Sequence, residues 1–304
     1  MVVVLWIILG CVILAGGLGL AAWMVIVEPT QFRVRRIAVG SCDLVRRPGR
    51  GGLPEGLRIL HVTDTHFYGS DERRLRFLRR VAAEEDYDFA FLTGDLIDTP
   101  RGVGSCRELA RALEPRVGAY AVLGGHDLYW APPLTIFASL GGTRHVSEPA
   151  KVPSVPGELT RVLESEGVRV LQDGSDLASI PGGGEVAIVG TRDAQDCVPD
   201  YGAAWSQMPG DIPVIALSHC PDAVPDMVAR DPDMAFFGHT HGGQVRFPVI
   251  GALVTRSELS ADRASGMFRE GDTLCFLNNG VGTNRFIRLR LLCRPEVSLV
   301  SIGG

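Results

Sequence analysis

The chain has 304 residues, enough to bury a sizeable core within one large α/β domain. Its 35 acidic residues exceed 30 basic ones, giving a net charge of −5. That balance excludes bulk nucleic-acid binding, which needs a basic face. Seven cysteines are dispersed without a C-x-x-C pair, the pattern of free thiols in a reducing compartment rather than a disulfide framework.

Residues 2–27 contain no charged side chain, and a run of that length spans a bilayer as a helix. It has no basic residues ahead of it and is longer than the apolar core of a signal peptide, so it reads as an uncleaved anchor. A cleaved signal is the competing reading. Arg33, Arg35, Arg36, Arg46, Arg47 and Arg50 follow it. This one-sided charge predicts a single-pass protein of the cell membrane with its catalytic domain facing the cytoplasm, held near anionic headgroups. Residues 31–39 alternate as a strand does, and 47–56 form a Gly/Pro-rich loop. The expected layout is an anchor at 1–28, a basic strand and linker at 29–56, and a catalytic domain at 57–304.

Within that domain, residues 58–63 read as a strand running into Asp64-Thr65-His66, with His61 as a core histidine inside it. Residues 71–85 predict a helix with Leu75, Leu78 and Ala82 on one face. A second strand, 89–93, runs into Gly94-Asp95-Leu96-Ile97-Asp98, where Asp98 reads either as a cap for the turn before Thr99-Pro100 or as a carboxylate supporting a metal ligand. A helix at 106–113 precedes a strand at 119–123 and then Gly124-Gly125-His126-Asp127.

The stretch from about 129 to 156 breaks the rhythm. Trp130, Ile136 and Phe137 with two prolines predict a lid that recognises an apolar part of a substrate, while Arg144 and His145 read as contacts to its phosphate. Residues 212–218 run into His219, and 234–237 run into Gly238-His239-Thr240-His241-Gly242-Gly243-Gln244. Strands at 273–277 and 288–302 are expected to close a second sheet.

In α/β proteins, sites form beyond the carboxyl ends of strands. Four of the seven histidines, His66, His219, His239 and His241, fall at such ends together with Asp64 and Asp95. Mixed imidazole and carboxylate ligation suits Mn, Fe or Zn.

The order D-x-H, G-D-x-x-D, G-x-H-D, a lone His and G-H-x-H resembles the calcineurin-like metallophosphoesterase superfamily over about residues 55–300. The resemblance implies a four-layer αββα sandwich of two mostly mixed sheets flanked by helices, behind one N-terminal transmembrane helix. It implies two divalent metal ions. Asp64, His66 and His241 would hold the first, His219 and His239 the second, with Asp95 bridging them. His126 would stand beside the leaving group with Asp127 orienting its ring. Two cations about 3.5–4 Å apart clamp phosphoryl oxygens and lower the pKa of a bound water.

GHTHGGQ and Cys293-Arg294-Pro295-Glu296 are similar to a membrane-associated bacterial subgroup that includes a UDP-2,3-diacylglucosamine pyrophosphatase. The implied activity is cleavage of a phosphodiester or pyrophosphate bond, in a phosphorylated amphiphilic or lipid-linked substrate at the membrane. One position departs from the pattern. Gly125 stands where the family has a metal-binding Asn, leaving its place to water, to a substrate oxygen, or to a group such as Asp127 or one from the lid. The alternative reading is a catalytically weakened regulatory module that still binds metal.

Overall fold

The computed structural model describes residues 2–130, 152–206, 208–283 and 288–303. Ile136, Phe137, Arg144 and His145 lie outside the described residues.

The strands in chain order are β1 (Arg33–Val39), β2 (Arg58–Val62), β3 (Phe89–Thr93), β4 (Gly118–Val122), β5 (Tyr129–Trp130), β6 (Val152–Pro153), β7 (Val168–Val170) and β8 (Gly174–Ser179). They continue with β9 (Glu185–Gly190), β10 (Val214–Leu217), β11 (Met234–Phe237), β12 (Arg246–Phe247), β13 (Gly251–Ala252), β14 (Gly266–Glu270), β15 (Thr273–Leu277) and β16 (Glu296–Ile302).

Two six-stranded sheets carry the fold, in the orders β1-β16-β2-β3-β4-β7 and β14-β15-β11-β10-β9-β8. Both are mixed. β16 runs antiparallel to β2 in the first, and β14 and β8 are antiparallel edge strands of the second. The inner strands β3, β10 and β11 are buried along their whole length, the signature of parallel strands covered on both faces.

Phe89, Phe91, Tyr120 and Val122 from the first sheet meet Ile188, Leu217, Phe236 and Phe276 from the second in the core between the sheets. The outer face of the first sheet is covered by helices Glu72–Glu84, Val103–Ala112 and Pro156–Ser165, through Leu75, Leu78, Leu109 and Leu163. Short helices, Tyr201–Trp205 and Val224–Val228, cover the other sheet. The result is the four-layer αββα arrangement expected from the motif order. His61 lies in the inter-sheet core with its ring against Phe236, and burial lowers its pKa to about 3.

The helix Val2–Ala22 has no buried residue. The segment Val2–Thr30 contains an 18-residue stretch with a mean hydropathy of 2.6 and is long and apolar enough to cross a membrane. Its foot is fastened to the domain. Glu28, 3% exposed, accepts from Trp23 Nε1 at 3.0 Å and from the Cys293 amide at 2.7 Å. The Arg290 amide donates to the Met24 carbonyl.

β1 pairs in parallel with β16, so the segment 29–56 contributes an edge strand to the first sheet. Its arginines turn onto the domain. Arg33 and Arg35 reach the buried Glu296, and Arg47 binds Asp231 and Asp233 at 2.6 Å. β5 and β6 pair as a ribbon, Trp130 opposite Val152, at the two ends of the expected lid.

Candidate metal centre

The loops that end β2, β3, β10 and β11 meet at one edge of the sandwich. They interlock through backbone bonds from Asp64 to Gly94, from His66 to Asp95 and from Gly238 to His219. The turns are strained. Asp64, His66, Asp95, His239 and His241 all have φ between 44° and 69°, a left-handed conformation that costs a non-glycine residue about 1–3 kcal/mol and gathers at functional sites. A Cβ at Gly124 would collide with Asp95 Oδ1, so only glycine lets the β4 loop come this close.

Two groups of side chains converge. In the first, His66 Nε2 lies 3.0 Å from His241 Nε2, and Asp64 Oδ1 lies 3.4 Å from His241 Nε2. In the second, Asp95 Oδ2 lies 3.3 Å from His219 Nε2, with His239 joining them within 4.8 Å. Asp95 Oδ2 is also 3.7 Å from His66 Nε2, so one oxygen faces both groups. These spacings suit a small cation, since tetrahedral bonds of about 2.1 Å have edges of about 3.4 Å.

The donor set fits a metal. His66 Nδ1 donates to Asp98 Oδ1 at 2.6 Å and His219 Nδ1 to the Thr93 carbonyl at 2.8 Å. Each bond turns an Nε2 lone pair into the site, as metal-bound imidazoles require. His219 Nε2 is buried without a hydrogen-bond partner. His239 Nε2 faces the Arg256 carbonyl at 3.1 Å, which leaves its Nδ1 lone pair for the cluster.

The electrostatics agree. Burial would raise the Asp95 pKa, but His219, His126 and His66 outweigh it and hold the carboxyl well below its ordinary value. Burial lowers His239 to about 4, helped by the His219 charge, so its imidazole is neutral and ready to ligate.

His126 follows β4 in the turn Gly125–Leu128, with its ring edge-on to His66 at 4.8 Å. Its Nδ1 lies 3.0 Å from Asp98 Oδ1, and its side chain is 29% exposed. Burial alone would lower its pKa, yet Asp95 and Asp98 push it up to about 9.

Two carboxylates therefore exchange the roles expected of them. Asp127 does not orient His126. Its Oδ1 accepts from the Leu96 and Ile97 amides and its Oδ2 from Gly124, tying the β3 loop to the β4 loop. Asp98 is buried between His66 and His126, with Oδ1 on both rings.

Two further features lay outside the sequence reading. Arg290 is fully buried and donates to the carbonyls of Asn279, Gly280, Gly282 and Cys293, with Nη2 3.4 Å from His241 Nδ1. One of four arginines within residues 285–294 reads as solvated, so no local signal marked it. The β12–β13 hairpin exposes Phe247, Val249, Ile250, Leu253 and Val254, and the run of apolar residues there was a signal that could have been read. Arg246 bonds Leu291 near the foot of the N-terminal helix, and exposed Leu292 adjoins it.

The sequence profile of the calcineurin-like phosphoesterases matches residues 57–243, which include every side chain of both clusters. The chain belongs to the calcineurin-like phosphoesterase family. Several relatives share most of this phosphoesterase's length. The uncharacterized metallophosphoesterase YkuE of Bacillus subtilis is 26% identical over 82% of this chain and 79% of its own. The UDP-2,3-diacylglucosamine pyrophosphatase LpxG of Chlamydia trachomatis is 24% identical over 91% of each chain. The phosphodiesterase YaeI of Escherichia coli is 31% identical over 46% of this chain and 49% of its own. Among solved structures, the phosphopantetheinyl hydrolase PptH of Mycobacterium tuberculosis is similar with a TM-score of 0.44 and 12% identity, over 78% of this chain and 93% of that one. This phosphoesterase is thus a metal-dependent hydrolase by family, with clustered candidate ligands for divalent metal.

Proposed function

We propose that the protein is a membrane-anchored phosphohydrolase holding two divalent cations, which cleaves a phosphodiester or pyrophosphate bond in an amphiphilic, lipid-linked substrate. The observation that carries the lipid part is the position of the exposed β12–β13 hairpin. It departs from the metal ligands, since Arg246 Nη1 bonds the Gly242 carbonyl, and it returns to them at Arg256 against His239. Its first strand bonds Leu291, next to the Arg290 amide that bonds Met24, so with the helix in a membrane its exposed apolar side chains would enter the acyl region and bring a headgroup phosphate to the centre. The diacylated substrate in the name of the Chlamydia relative is of this chemical class.

Asp64, His66 and His241 would hold one cation and His219 and His239 the other, with Asp95 between them. Bound cations would neutralise phosphoryl oxygens and acidify a water. The protein's own part is proton traffic. Protonated His126, held by Asp98, donates its Nε2 proton to the departing oxygen. The arginines after the helix favour a cytoplasmic orientation.

Activity of the purified, manganese-loaded protein on a UDP-linked diacyl sugar, a phospholipid headgroup and a soluble nitrophenyl diester tests the reading. Faster turnover of the diacylated pyrophosphate or phospholipid in mixed micelles is the expected result. Turnover confined to the soluble diester overturns the lipid assignment. Two bound cations with no turnover of any substrate would instead favour the regulatory module.

A further inference from the structure

Gly125 removes one ligand from the second cation's position, and the structure fills its place from an unexpected direction. The loop after β9 crosses beside His219, its Thr191 amide bonded to the Leu217 carbonyl. It carries Asp193 and Asp196. A Cβ built on Gly125 would collide with Asp196 Oδ2 and stand 3.4 Å from Asp193 Oδ2. The family's side chain at 125 would therefore begin in space that these carboxylates occupy.

Asp193 is 1% exposed, and its Oδ2 is buried with no hydrogen-bond partner. A carboxylate oxygen stripped of water and partners is costly unless a cation meets it. Burial raises its pKa to about 6, and the charges that act on it are His219 and Asp95 of the same centre and the neighbouring Asp196. Two of the groups foreseen for this position, Asp127 and a water, are otherwise accounted for. Asp127 spends both oxygens on backbone amides, and Asp196 takes the room a water would use next to Gly125.

We propose that the loop after β9 supplies the oxygen ligand that residue 125 lacks, with the Asp193 carboxylate binding the second cation and Asp196 filling the volume of the absent side chain. This rests on the two-cation reading above. An anion in place of a neutral amide strengthens the centre's preference for oxygen-seeking cations such as Mn²⁺. It also makes glycine at 125 a requirement of this arrangement rather than a defect.

Equilibrium dialysis of the full-length, detergent-solubilised protein against Mn²⁺, with metal counted by mass spectrometry, tests it without reference to turnover. Wild type should bind two ions. Asp193→Ala should keep one ion tightly and lose affinity for the other by about 10–100-fold or more. Asp193→Asn, of the same shape, should lose less, and it provides the reading if Asp193→Ala fails to fold by circular dichroism. Gly125→Asn should weaken the second ion through its collision with Asp196, and Gly125→Asn combined with Asp196→Gly should recover it. Wild-type affinity for both ions in Asp193→Ala, or in folded Asp193→Asn, overturns the assignment. A single ion in wild type at saturation overturns the two-cation reading itself.

Discussion

Asp98 Oδ1 lies 2.6 Å from His66 Nδ1. The same oxygen reaches His126 Nδ1 at 3.0 Å, so a single buried carboxylate orients a candidate metal-ligand imidazole and the proposed proton donor. Asp98→Asn should weaken metal binding by about 10–100-fold and also slow turnover at saturating metal. Metal titration and kcat read the two effects separately. A change in neither would reduce Asp98 to a packing residue.

The second prediction concerns pH. In the metal-free protein His126 has a pKa of about 9, above the roughly 6.5 of an unfolded histidine. A raised folded pKa stabilises the fold fully below pH 6.5, and the contribution is lost as pH rises through about 9. Metal-free protein should therefore become less stable between neutrality and pH 9.5, and His126→Gln should lessen that loss. NMR titration of the His126 ring checks the value directly, and Asp98→Asn should lower it.

The Asp95 carboxylate faces both clusters, 3.3 Å from His219 Nε2 and 3.7 Å from His66 Nε2. Asp95→Ala should remove both cations and abolish hydrolysis while leaving the sandwich folded. Metal content and rate measured on one preparation decide it. A variant with two ions and wild-type turnover would refute the bridging role.

If the β12–β13 hairpin enters lipid, Phe247→Ser and Ile250→Ser should each weaken turnover of a diacylated substrate by roughly ten- to hundred-fold, given about 1.5–3 kcal/mol for burying one such side chain. Turnover of a soluble diester should not change. Equal loss on both substrates would mark the hairpin as structural.

Arg290→Met should destabilise the protein by about 3–5 kcal/mol, because four carbonyls lose their donor inside the fold and water cannot replace it. Thermal melting of metal-free and loaded protein reads this. A melting temperature within a degree of wild type would show that water enters the site.

Much of the centre could be read from the chain because each expected ligand follows a strand by two to four residues. The strand's apolar period places such a residue at the sheet edge whatever the rest of the fold does. Asp64, His66, Asp95, His219, His239 and His241 are of this kind, and so is the N-terminal apolar helix, whose length and lack of charge make it a candidate span. The exchange between Asp98 and Asp127 is of another kind. Both follow turns, and only the packing of the β3 loop on the β4 loop assigns one to backbone amides and the other to two histidines. Asp193 and Asp196 lie about seventy positions beyond Gly125 and bear no local mark of a ligand. β1 could be read as a strand, but its partner β16 lies at the far end of the chain. Local sequence determines which face or edge a side chain takes, through the periods of helix and strand. Which distant groups share one small volume is decided when the sheets stack and water is excluded.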